Sequence, residues 1–117
     1  MATDLVGNEK LQRFIQLLAA LNQQTVKILR TGDAEILVEM NDVVEEMYAI
    51  QHDSKEEAFT AIDEDMQVIY QNFNAVVIMI KSNEKAFVDT TTSEAVRKFL
   101  RNIFDANVRI VLAYGLA

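Results

Sequence analysis

The sequence predicts an all-α protein, an antiparallel up-down four-helix bundle, from three observations. Large apolar residues recur in steps of three and four, which keeps one side of an α-helix apolar, whereas a strand needs alternation every second residue. Proline is absent and glycine occurs only three times, so nothing in the composition breaks long helices. Half of the 117 residues are hydrophobic, enough for one helical-bundle domain over residues 1–117 that folds without staples.

The longest pattern organises the others. Phe59, Ile62, Met66, Ile69, Phe73, Val76 and Ile80 follow one another in alternating steps of three and four. A stripe of that length demands cover from other helices or from a copy of itself.

The first helix is expected at about 8–30. Residues 1–7 read as a frayed lead-in, and Asn8 can cap by accepting a backbone N–H. Its seam is Leu11, Phe14, Leu18, Leu21, Thr25 and Ile28, widened by Ile15, Leu17, Val26 and Leu29. Arg30-Thr31-Gly32-Asp33 then reads as a stop and a restart. Arg30 suits the negative helix end, Gly32 can turn left-handed, and Asp33 is a good N-cap.

The second helix is expected at about 34–51, with its seam at Ile36, Met40, Val43, Met47 and Ile50, flanked by Leu37 and Val44. Glu35, Glu39, Asp42, Glu45 and Glu46 fall on its outer face. Glu35, Glu39, Asp42 and Glu46 are neighbours at three- and four-residue spacing, where like charges repel slightly. The register breaks between Ile50 and Phe59. Residues 51–56 read as a tight turn, with Asp53 and Glu56 at capping-box spacing, before a third helix at about 54–81. The alternative is a second helix continuous with the third.

Residues 82–92 are the most loop-like, with Ala86-Phe87-Val88 tucked back on the bundle. Thr91 and Glu94 have capping-box spacing, with Ser93 as an alternative cap. The fourth helix, expected at about 93–114, turns Val96, Phe99, Leu100, Ile103, Ile110, Val111 and Tyr114 inward. Asn107 shares that face, where one polar residue can set register between helices. Gly115 ends the helix.

Composition excludes whole classes of function. Without cysteine there are no disulfides, thiolate zinc sites or thiol catalysis. No apolar run approaches the ~20 residues of a membrane span, and the N-terminus shows no basic region followed by an apolar one. A cytoplasmic protein is expected. The net charge of −7 is unevenly spread. Residues 31–66 carry twelve acidic groups against Lys55 alone, between two mildly basic ends.

His52-Asp53-Ser54-Lys55 resembles the His-x-x-Lys of histidine phosphotransfer domains, which are also small, acidic and helical. The resemblance implies His52 as the phosphate acceptor. There the pattern continues with glycine, whereas here Glu56 opposes both the approach of a partner and a phosphorylated imidazole. A surface histidine in a turn is the plainer reading. Carboxylate-bridged di-iron bundles need two Glu-x-x-His pairs, and this chain has one histidine. Asp63-Glu64-Asp65 lacks the glycine and the final glutamate of an EF-hand loop and reads as a solvated helix face. Glu35 and Glu39 step by four rather than by the three of helical pyrophosphohydrolases. No glycine elbow or phosphate loop exists. Neither catalytic residues, metal ligands nor a cofactor are therefore expected. Arg97, Lys98, Arg101 and Arg109 form the one basic patch. It lacks the aromatic platform that would suit nucleic acid and is expected to pair with the acidic helices. Met40, Met47, Met66 and Met79 read as core filling rather than as an adaptable groove.

The expected function is binding without catalysis: an acidic adaptor, regulator, inhibitor or chaperone whose protein partner has a basic surface. Glu35, Glu39, Asp42, Glu45 and Glu46 would carry the contact, with Asp63, Glu64 and Asp65 beside them. A structural homo-oligomer, such as a dimer through the long third helix, is the alternative. Phosphotransfer through His52 ranks below both.

Overall fold

The apolar stripes converge on one core in the computed structural model, which describes residues 9–53, 57–82 and 90–115. Five helices and no strand occur among the described residues: α1 (Glu9–Thr31), α2 (Ile36–Asp53), α3 (Glu57–Thr60), α4 (Asp63–Ser82) and α5 (Thr90–Ala113). Close packing joins α1 to α2, α1 to α5, and α4 to α5.

Every seam residue of α1 is buried, including Thr25, whose hydroxyl donates to the Leu21 carbonyl at 2.7 Å. A buried hydroxyl that finds a backbone acceptor costs little, so the one polar seam position is satisfied within its own helix. The turn after α1 forms as expected. Gly32 takes φ 66° and its N–H donates to Ile28 at 2.8 Å, while Asp33 Oδ1 accepts the Glu35 N–H at 3.0 Å.

α2 starts at Ile36 and runs through Asp53, so Gln51, His52 and Asp53 are helical rather than part of a turn. Its buried stripe is also rotated from the expected one. Leu37 and Val44 are buried with Ile36, Met40 and Met47, while Val43 and Ile50 are only partly covered. Spacing alone cannot separate two adjacent stripes of a helix with apolar residues on both; the neighbours decide.

The expected unbroken third helix is corrected. Ala61 and Ile62 form a turn between α3 and α4, and the apolar rhythm passes through it unchanged, with Phe59, Ile62, Met66, Ile69, Phe73 and Val76 all buried. In a straight helix the Ala58 carbonyl would accept the Ile62 N–H; here it accepts the Tyr114 hydroxyl at 2.8 Å. Phe59 is held edge-on against Phe14, ring centroids 5.2 Å apart. Asp63, Glu64 and Asp65 then occupy the first turn of α4, where negative charge is favoured by the helix dipole.

α5 begins at Thr90, so Ser93 lies inside the helix and caps nothing; its hydroxyl accepts from Arg97 Nε at 3.3 Å. Asn107 is buried as expected and donates Nδ2 to the Leu18 carbonyl at 2.9 Å, tying α5 to α1. Ala106, absent from the expected inward set, is fully buried where the helices approach. Gly115, at φ 71°, closes the chain's last helix. Met40, Met47 and Met66 are fully buried and Met79 partly so, which makes them core. The expected lead-in 1–7, the Asn8 cap, the Asp53–Glu56 box and the Ala86–Val88 tuck lie wholly or partly outside the described residues. Among the described residues no helix is long and apolar enough to cross a membrane.

Candidate functional site: the outward side of α2

Two rows of side chains run along the outside of α2, each at helical spacing. Glu35, Glu39, Asp42 and Glu46 form one, and Val38, Asn41, Glu45, Tyr48 and His52 the other. Glu35, Glu39, Asp42 and Glu45 are exposed, and none has an ion pair among the described residues. Val38 (69% exposed) and Tyr48 (50%) stand in the same strip.

Glu46 departs from the expected outward row. It turns toward α1, where Arg13 donates Nε to Oε2 at 2.6 Å and Nη2 to Oε1 at 2.9 Å. The paired hydrogen bonds from Arg13 hold the Glu46 carboxyl below its usual range, and those same bonds raise the guanidinium. The three acids of α4 also separate in role. Asp65 accepts from Arg109 Nε at 2.7 Å, Asp63 accepts from Gln51 Nε2 at 3.2 Å, and Glu64 is exposed. Of the eight expected contact residues, α2 therefore brings Glu35, Glu39, Asp42 and Glu45 together in the open.

The C-terminal end of α2 carries an aromatic cluster that spacing did not reveal. Tyr48 stacks on His52 with ring centroids 5.4 Å apart and meets Tyr70 of α4 edge-on at 5.2 Å. The Tyr70 hydroxyl donates to Gln51 Oε1 at 2.8 Å. Burial, aided by Tyr48 and Asp63, pushes the Tyr70 phenol well above its ordinary value, and burial alone does the same to Tyr114. His52 is exposed in the last turn of α2, while Ser54, Lys55 and Glu56 of its motif lie outside the described residues. No group of three or more potential metal ligands occurs among the described residues. The basic patch divides as well. Arg109 meets Asp65, Arg97 donates Nη1 to the Leu29 carbonyl at 2.5 Å, and Lys98 and Arg101 are exposed.

The chain matches no family model, no curated protein and no solved structure.

Proposed function

We propose that this chain is a non-enzymatic protein-binding module, an adaptor, regulator or inhibitor, that receives a cationic protein surface on the outward side of α2. One observation carries the reading. Glu35, Glu39, Asp42 and Glu45 stand exposed around Val38 and Tyr48 without a cation among the described residues. Apolar area at the centre of a contact supplies affinity, and charge around it steers encounter and selects the partner. The scaffold behind it is read as an antiparallel up-down bundle, with α3 and α4 together as the third leg. Contacts between helix starts and helix ends support that reading: Arg13 with Glu46, Gln51 with Asp63, Asp65 with Arg109, and Arg97 with Leu29. Cytoplasmic residence belongs to the same proposal, and cell fractionation tests it.

A photo-crosslinking residue placed at Val38 or Tyr48 in the source cell tests the function. A discrete protein adduct is expected from both positions and none from Gln71, which is exposed on α4. Glu39→Lys combined with Asp42→Lys should reduce the adduct at least about tenfold, the scale of 1.4 kcal/mol. An adduct no stronger at positions 38 and 48 than at position 71 would overturn the proposal.

A further inference from the structure

We infer that the partner seated on the acidic side of α2 is a second copy of this chain, presenting the cationic C-terminal half of its α1. This rests on the docking role proposed for α2. Asn107 donates to Leu18 and Arg97 to Leu29, so α5 runs beside α1 from the middle of that helix to its end. Lys27 and Arg30 of α1 are exposed toward that end without an ion pair among the described residues, and residues 10–31 contain no Asp or Glu, whereas on α5 the exposed Lys98 and Arg101 are flanked by the exposed Glu94 and Asp105. An open hollow there is lined by Asn22, Gln23, Val26, Lys27, Arg30 and Thr31, none of them acidic. The α2 strip is its complement: residues 31–54 contain no Lys or Arg at all. Val38 projects from the acidic strip, and Val26 lines the hollow. No ion pair joins the two strips within one chain among the described residues.

Such a contact uses different surfaces on the two copies and therefore propagates rather than closing at two. Copies of net charge −7 repel over the whole molecule, but at about 0.15 M salt that repulsion is screened beyond roughly 8 Å, and touching pairs are not. Association should be strongest near that ionic strength and weaken at about 1 M, where screening reaches roughly 3 Å.

Sedimentation of the full chain at rising concentration tests this. The expected result is a mean mass that climbs past that of a dimer at about 0.15 M salt and returns to the monomer at about 1 M. Glu39→Lys with Asp42→Lys should sediment as a monomer, and so should Lys27→Glu with Arg30→Glu. Mixing the two variants should restore association, because the intact strips still pair and the two reversed strips are themselves of opposite charge. All four positions are exposed, and unchanged circular dichroism would show that the variants fold. A wild-type chain that stays monomeric throughout overturns the inference, as does association that survives reversal of either strip. If a foreign protein still crosslinks at Val38 in that case, the docking role of α2 stands and only the second copy falls.

Discussion

The outside of α2 and the start of α4 are equally acidic in sequence, yet the fold uses them differently. Asp63, Glu64 and Asp65 sit at the positive end of a helix, and a glutamine and an arginine from neighbouring helices meet two of them. Glu39 is in the first turn of α2, but Asp42, Glu45 and Glu46 lie beyond it, past the reach of the helix dipole. Among the described residues, Glu46 alone of this row is met, by Arg13. Carboxylates at a helix start help to build the protein. Carboxylates in a row along a helix, without cations, cost it a little stability, and it is this row that we propose for contact.

The sharpest way to break this contrast is to remove what holds the start of α4 in place. Phe59→Ala, at a fully buried position against Phe14, should cost about 3–5 kcal/mol in denaturant unfolding. Val38→Ala on the open side of α2 should stay within about 0.5 kcal/mol. A similar cost at the two positions would mean that α2 is as embedded as α3.

Tyr114→Phe removes the hydroxyl that occupies the Ala58 carbonyl and should cost about 0.5–1.5 kcal/mol. It also carries a pH signature. Burial raises the Tyr114 phenol in the folded chain, so its contribution is complete below about pH 10, where both states hold the proton. Above that pH the unfolded chain ionises first and stability falls as pH rises. Thermal unfolding across that range should fall less steeply in the Phe variant, with Tyr70 responsible for the remaining slope.

Neutralising one acid in each region gives the smallest effects, and they should have opposite signs. Asp65→Asn loses a favourable helix-start charge and a partly exposed ion pair, a loss of about 0.3–1 kcal/mol. Asp42→Asn, beyond the first turn of α2, relieves repulsion from Glu39 and Glu45 and should gain about 0.2–0.5 kcal/mol. If both changes destabilise, the α2 row is structural and its proposed role in contact fails.

Much of the fold was legible in the residues. The α1 seam, the Gly32 turn, the six buried positions from Phe59 to Val76 and the inward Asn107 all follow from spacing and side-chain chemistry. The break at Ala61-Ile62 was not legible, because the apolar period continues through it and the hydroxyl that takes the Ala58 carbonyl, that of Tyr114, comes from the far end of the chain. In α2 the spacing places Ile36, Met40 and Met47 in the core but cannot choose between Val43 and Val44, which are equally apolar. Of the candidate site, the acidic row was legible and the departure of Glu46 from it was not. Nothing near Glu46 in sequence announces Arg13.

The sequence alone determined which side of each helix would be apolar and where acid would gather, since both depend on residue identity at helical spacing. Tertiary structure decided which acids are answered. An ion pair needs two groups within a few ångströms, and that distance is set by helices brought together from remote parts of the chain.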